Sequence, residues 1–432
     1  MRDKKSISRR RILKQGAAAA AGAGGAYLGA SALSAQTVAP AAGNRADVAG
    51  RRFRAFVRYR TGASVQELTL LPLTPRRVVV RTEASQCCYT SVAQALGTQN
   101  VAQPVILGHG GIGVVEAVGD GVKRVQVGDR VIATVTPWCG ECYNCMHGHP
   151  DRCLGLRDFA SVARMQDGTV VSGSVGGHAE LMAGDEEWFV PVFTAVPSVE
   201  LSLLSCVSSC GLGTTMSQAP VEAGADVVVF GAGPVGLSAI QGARIRGASQ
   251  IIAIEPIASR RALALKVGAT IVLDPNVEGD NLVQKVQDLC TPTTDRRWAG
   301  GGNVGPDYVI EAVGGDTYPA KEQGPDPTGL TVLRQAWQLC SPAGTLVTTG
   351  VGYPANPTLN FQGSQWANGQ KHHLPGKGTN LKRDLPRFVR FIETKQFDAK
   401  SLVDATYPLE RTREAYEATG ARTVVSSVIV FA

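Results

Sequence analysis

Four cysteines crowd into one short stretch as Cys139-x2-Cys142-x2-Cys145-x7-Cys153. Four thiolates at these spacings can converge on one ion, and zinc accepts them as a tetrahedron without any preference of its own. Gly140, Glu141, Tyr143 and Asn144 supply turn-forming residues between them. Two disulfides or unrelated surface thiols are the alternatives. Cysteines at i, i+3 and i+6 suit a metal better than pairwise bridges. A site closed by four thiolates has no open position, so an ion held there is structural.

A second set of donors lies elsewhere. Gly108-His109-Gly110-Gly111-Ile112-Gly113 follows the apolar run Pro104–Leu107 and leads into Val114–Gly119 and Val127–Val131. Short β-type runs punctuated by glycine predict a small barrel-like β domain. A lone histidine is more often a surface or core residue than a ligand, but Cys88 and Cys206 are further candidate donors.

A nucleotide-binding pattern comes next. Ala225–Phe230 reads as a buried strand, followed by Gly231-Ala232-Gly233-Pro234-Val235-Gly236, a helical stretch over Leu237–Ile245, and a second strand ending at Glu255. Strand, glycine fingerprint, helix, strand and an acid nineteen residues after the third glycine together mark a dinucleotide-binding unit. Gly231 permits the tight turn, Gly233 lets backbone approach the pyrophosphate, and Gly236 lets helix and strand pack. Pro234 and Val235 begin the helix whose free N–H groups face the phosphates. Glu255 is placed to accept from the adenosine ribose, which favours NAD. A 2′-phosphate would be repelled, though Arg260 and Arg261 stand near enough to offset part of that, so NADP is the lesser candidate.

In these segments the chain resembles the zinc-containing alcohol dehydrogenases of the medium-chain dehydrogenase/reductase superfamily, from about residue 50 to the end. The resemblance implies an α/β fold in which a doubly wound Rossmann sheet joins a GroES-like, β-rich, zinc-binding catalytic domain. It implies a catalytic domain over 50–207 with the zinc loop at 139–153, a Rossmann domain over 208–371, and a return segment, 372–432, folding back onto the first domain. Cys88, His109 and Cys206 then bind a catalytic zinc with one position open to substrate, giving two Zn2+ per chain. Cys87 could compete with Cys88, and Cys210 with Cys206, but the family pattern selects Cys88 and Cys206. Cys87, Cys210, Cys290 and Cys340 are left as buried thiols. Thr90 matches the family's proton-relay hydroxyl, and hydride passes between a small alcohol or aldehyde and the nicotinamide. Family members are homodimers or homotetramers. Stretches rich in Gly and Arg at 294–306, and in Pro and Gly at 316–330, read as surface loops.

Some family residues are replaced. Gly110 stands where a carboxylate usually follows the ligand histidine. Ser91 stands where an acid usually orients that histidine. Ala93 replaces a relay histidine, and Tyr89 an Arg or His that often faces the pyrophosphate. These changes keep open a non-catalytic relic that retains only the fold and the structural zinc.

The amino terminus, Ser8-Arg9-Arg10-Arg11-Ile12-Leu13-Lys14, resembles a twin-arginine export signal. The Ala/Gly-rich stretch Gly16–Leu33 and the motifs Ala30-Ser31-Ala32 and Ala32-Leu33-Ser34 fit a cleaved signal over 1–35 better than a membrane anchor. The expected partner is the twin-arginine translocation machinery and the expected location periplasmic or secreted. The net charge of +7 is concentrated here: residues 1–35 hold seven basic residues and one acid, leaving +1 for the rest. The basic balance is therefore no argument for nucleic-acid binding. Free NAD is expected to be scarce outside the cytoplasm, so a nicotinoprotein or aldehyde dismutase with tightly bound NAD(H) is the alternative reading.

Overall fold

The computed structural model describes residues 48–155, 161–173, 175–290, 304–315, 329–353, 370–376 and 380–432. The expected signal over 1–35 lies outside them, as do most of the expected loops at 294–306 and 316–330. The carboxy-terminal half is built on six parallel strands. In chain order they are β1 (Asp226–Phe230), β2 (Gln250–Ile254), β3 (Ile271–Leu273), β4 (Tyr308–Glu311), β5 (Thr345–Thr348) and β6 (His372–Pro375). Their spatial order is 3-2-1-4-5-6. Helices cover both faces, so the central strands read as unbroken apolar runs. Val227–Phe230 and Ile251–Ile254 are all buried.

Helix α1 (Pro234–Arg246) starts with proline, whose missing N–H has no helical partner to lose, and stops at Gly247 in the left-handed conformation, φ 87°. Strand order reverses between β1 and β4, which opens a crevice beyond their carboxyl ends. The sheet runs past the expected domain boundary at 371, because β6 pairs with β5 in register from Thr345↔His372 to Thr348↔Pro375. A His-His-Leu-Pro segment carries no strand signal, so only pairing reveals it.

The amino-terminal half is antiparallel and β-rich. Strands Arg52–Arg60, Gly62–Leu70, Ser161–Met165, Val170–Ser172 and Val101–Ile106 close a barrel. A second sheet centres on Arg77–Gln86, which pairs with Gly111–Val118, Leu181–Asp185 and Ser427–Val430. Val78, Val79 and Val80 are all fully buried because this strand has packing on both faces. The return segment thus supplies a strand to the first sheet, and its helix Thr412–Gly420 packs beside that strand. Among the described residues no single helix is long and apolar enough to cross a membrane.

Candidate functional site

The four-cysteine loop protrudes with little core of its own. Its sulfurs converge: Cys142 and Cys145 are 3.5 Å apart, Cys139 and Cys153 3.6 Å, Cys142 and Cys153 3.9 Å, Cys139 and Cys145 4.0 Å. Four sulfurs each ~2.3 Å from one zinc would stand about 3.8 Å apart, so the donor set fits a closed tetrahedral ion. Backbone N–H groups point at these sulfurs, Cys142 N to Cys139 Sγ at 3.3 Å and Leu154 N to Cys142 Sγ at 3.3 Å. The Leu154 N–H is the main reason Cys142 falls to about 6, which favours the thiolate form that a metal takes. All ten cysteines are free thiols.

The second cluster forms where three segments meet. Cys88 follows the central strand Arg77–Gln86, His109 lies in the glycine-rich turn before Gly111–Val118, and Cys206 precedes the helix Val207–Gly213. Their ligand atoms lie within 4.8 Å of one another. His109 Nε2 is 3.2 Å from Cys206 Sγ, and the two sulfurs are 3.9 Å apart. The hydrogen bond from Cys206 holds Cys88 well below the ordinary thiol value against burial, while hydrogen bonds to Cys210 and Cys88 push Cys206 up. Two thiol sulfurs and an imidazole fit zinc, with room for a fourth donor from the cleft. Cys87, one residue away, is outside the donor cluster and is buried in a core group with Phe56, Leu107 and Tyr416.

Neighbouring hydroxyls address the cluster. Thr90 Oγ1 donates to Cys88 Sγ at 3.1 Å. Ser91 Oγ is 3.4 Å from His109 Nδ1, so a hydroxyl occupies the place expected of an acid. Gly110 has φ 152°, and a Cβ there would come 2.8 Å from the Ser205 Cβ and 2.9 Å from its hydroxyl. Cys210, expected to be buried, is only half-buried and borders the cleft. It lies one helical turn beyond Cys206, and the helix turns it toward the same space. Lys382 covers Trp138, its Nζ 4.6 Å from the ring centre, and Val135 lines the cleft.

The cleft, about 1230 Å³, extends from this cluster to the glycine loop and is bordered by Gly231, Gly233, Pro234, Val235, Glu255 and Arg260. Gly231 has φ 85°, and a side chain on Gly236 would strike the Gly231 carbonyl. A Cβ on Gly233 would meet nothing closer than Arg260 Nη1 at 3.8 Å, so its absence leaves backbone open to the cleft. Glu255 is almost fully buried at the end of β2 and accepts from Ala232 N at 2.6 Å and Ile257 N at 3.0 Å. Its carboxylate ties the two βα turns together while still bordering the cleft. Arg261 is engaged with Asp274 at 2.8 Å, and Arg260 Nη2 donates to the Val424 carbonyl at 2.8 Å.

Two residues here escape sequence reasoning. Arg422, in the return segment, borders the cleft and donates to the Tyr89 hydroxyl at 2.9 Å. Glu311, fully buried at the end of β4, accepts from Val313 N at 2.7 Å and Gly314 N at 2.6 Å and from the Tyr353 hydroxyl, which fixes the loops beside the crevice. Burial raises its carboxyl above the ordinary value despite these bonds. Neither belongs to a local motif. The strand-end position of Glu311 was the only sequence signal for it.

Residues 74–194 match the model of the alcohol dehydrogenase GroES-like domain, and 234–322 that of the zinc-binding dehydrogenase domain. Geraniol dehydrogenase of Castellaniella defragrans is 30% identical over 371 residues, covering 82% of this chain and 90% of that protein. Among solved structures, benzyl alcohol dehydrogenase from Acinetobacter calcoaceticus superposes with a TM-score of 0.74 at 25% identity, covering 88% of this chain and all of the other. An alcohol dehydrogenase zinc-binding domain protein from Burkholderia ambifaria gives 0.75 at 26% identity, with 88% and 99% covered. With its GroES-like barrel, its Rossmann sheet and two cysteine clusters in place, the chain belongs to the zinc-containing alcohol dehydrogenases of the medium-chain superfamily and is an oxidoreductase of alcohols or aldehydes.

Proposed function

We propose that this chain is an NAD-dependent alcohol dehydrogenase carrying two zinc ions, exported by the twin-arginine route and assembled as a dimer or tetramer. The asymmetry of the two donor clusters carries the reading. One is closed by four sulfurs in a peripheral lobe, and the other offers three donors at the wall of the cleft that also holds the glycine loop. Cys139, Cys142, Cys145 and Cys153 would hold the structural ion, and Cys88, His109 and Cys206 the catalytic one. Both donor sets are complete, which argues against a non-catalytic relic.

Gly231, Gly233, Pro234, Val235 and Gly236 would receive the pyrophosphate at the start of α1, where unpaired N–H groups favour an anion. Glu255 would receive the adenosine ribose. Its negative charge opposes a 2′-phosphate, and Arg261 is already committed to Asp274, which supports NAD over NADP. Bound zinc supplies a Lewis acid beside the substrate oxygen, and bound NAD supplies the hydride acceptor. Thr90 Oγ1 accepts the proton leaving the substrate hydroxyl and passes its own to water, since Ala93 offers no further relay group. Val135 and Trp188 form apolar wall beside the cluster and restrict water there.

Native mass spectrometry of the mature protein, set against its denatured mass, tests the metal assignment and the subunit number. Two zincs per chain are expected, and one would overturn the catalytic ligand set. Turnover with added NAD should exceed that with NADP, and the reverse would remove the role given to Glu255. Export rests on Ser8–Lys14. Replacing Arg9 and Arg10 by lysine should retain the protein in the cytoplasm, and undiminished export would reject the signal.

A further inference from the structure

The parallel sheet consists of two halves, β1–β3 and β4–β6, and in a doubly wound sheet each half takes one mononucleotide. A buried strand-end acid serves each half. Glu255, at the end of β2, accepts from Ala232 N and Ile257 N and so ties the turn after β1 to the turn after β2. Glu311, at the end of β4, is 0% exposed and does the same in the other half. Its Oε1 accepts from Val313 N at 2.7 Å and Gly314 N at 2.6 Å, both in the turn after β4. Its Oε2 accepts from the hydroxyl of Tyr353, which lies beyond β5. One carboxylate oxygen therefore serves each turn.

Backbone contacts complete the junction. The Glu311 carbonyl accepts from Thr349 N at 2.8 Å and Gly350 N at 2.9 Å, and the Val351 carbonyl accepts from Gly315 N at 3.1 Å. Glycines let the two turns touch. A Cβ on Gly350 would strike Gly314 N, and one on Gly314, where φ is 80°, would strike the Val351 carbonyl. Ala312, Val313, Gly314, Thr349, Gly350 and Val351 all border the cleft, whereas Glu311 and Tyr353 do not. A carboxyl held away from water is costly unless its oxygens are bonded, and here three donors reach them. Burial and the neighbouring carboxyl hold the Tyr353 hydroxyl above its ordinary value, so it stays a donor.

We propose that Glu311 and Tyr353 are positioning residues, a buried clasp that holds the turns after β4 and β5 together as the wall for the nicotinamide half of the dinucleotide. The inference rests on the reading of the cleft as an NAD site. With the glycine loop and Glu255 assigned to pyrophosphate and adenosine ribose, the β4–β5 half is left for the nicotinamide riboside. The clasp acts through the backbone it fixes. A slack wall would let the nicotinamide drift from the reacting carbon, at a cost in orientation, and would leave the adenosine half in place.

The test titrates zinc-loaded full-length protein with NADH, followed by nicotinamide emission, and with AMP, followed by calorimetry. Glu311→Leu keeps the bulk and removes both acceptor oxygens. It should weaken NADH about tenfold, since two buried N–H groups lose their partner. AMP affinity should change by less than about twofold, because its subsite lies at β1 and β2. Tyr353→Phe removes one hydroxyl and should weaken NADH about threefold with the same selectivity, and it carries the test should Glu311→Leu fail to fold. The double variant should be no weaker than Glu311→Leu, because the tyrosine then has no oxygen to hold. Glu311→Gln keeps an acceptor for both N–H groups and should stay within about twofold of wild type. In hydrogen exchange, the Val313 and Gly314 amides should be protected in wild type and lose protection in Glu311→Leu. Unchanged NADH affinity in Glu311→Leu and Tyr353→Phe, or equal losses for AMP and NADH, would overturn the clasp while leaving the NAD site intact. A wild-type protein that binds neither nucleotide would overturn both.

Discussion

Gly110 shows how one residue's backbone decides what a site can contain. A carboxylate at this position is usual in the family, and here the chain turns with φ 152° against Ser205 and the Ala133 carbonyl. The Gly110 carbonyl also accepts from Ser85 Oγ at 2.7 Å, which pins the turn. A longer side chain would have to displace Ser205 and with it the adjoining Cys206. Gly110→Glu is therefore expected to lower stability by about 1–3 kcal/mol, read from urea unfolding midpoints, and to reduce retention of the second zinc. A variant as stable as wild type would mean that Ser205 yields freely. The substitution was legible in sequence as a departure. Its cause, a neighbour 95 residues away, was not.

The lobe between Cys139 and Gly155 is an element without a core. Pro150 is its one buried residue, while Tyr143 and Met146 are 69% and 73% exposed. Backbone bonds to sulfur and the short helix Tyr143–Met146 give such a segment little support, so an ion held by the four cysteines would supply much of its folding free energy. Chelation should open the lobe locally while the barrel persists. Trypsin is then expected to cut at Arg152, exposed within the lobe, in metal-depleted protein and to spare it in the loaded protein. Peptide mapping by mass spectrometry checks this, and equal resistance in both forms would show that the lobe folds without metal. The contrast with α1 is instructive. That helix is fixed by packing, through Gly236 on the Gly231 carbonyl and Gly211 against Val235 and Ser238, and needs no ion.

At the scale of the whole molecule, the cleft is completed by the return of the chain to its first sheet. Ser427–Val430 pairs with the strand that leads to Cys88, and the preceding turn brings Arg422 to the cleft wall, where Arg260 donates to the same turn at the Val424 carbonyl. Arg422 lies 5.1 Å from the Tyr89 ring centre, so the positive charge absent at position 89 arrives from another part of the chain. Arg422→Ala is expected to weaken dinucleotide binding about tenfold, ~1.4 kcal/mol, with little change in melting temperature. Added salt should narrow the difference. Fluorescence titration with NADH measures it, and unchanged affinity would restrict Arg422 to supporting Tyr89.

What the sequence determined by itself was whatever its chemistry writes locally. Cysteine spacing along one loop, a glycine fingerprint between apolar runs, and an acid at the end of β2 each involve neighbours in the chain, so they can be read in order. Tertiary structure alone decided what depends on segments that meet in space. It gathered Cys88, and not Cys87, with His109 and Cys206, brought Cys210 to the cleft, added β6 beyond residue 371, and placed Arg422 beside Tyr89. It also joined Tyr416 to His178. The physical reason is one of range: ligand spacing and turn geometry are set within a few residues, whereas burial, charge placement and the partners of a polar group are set by packing between segments far apart in the chain.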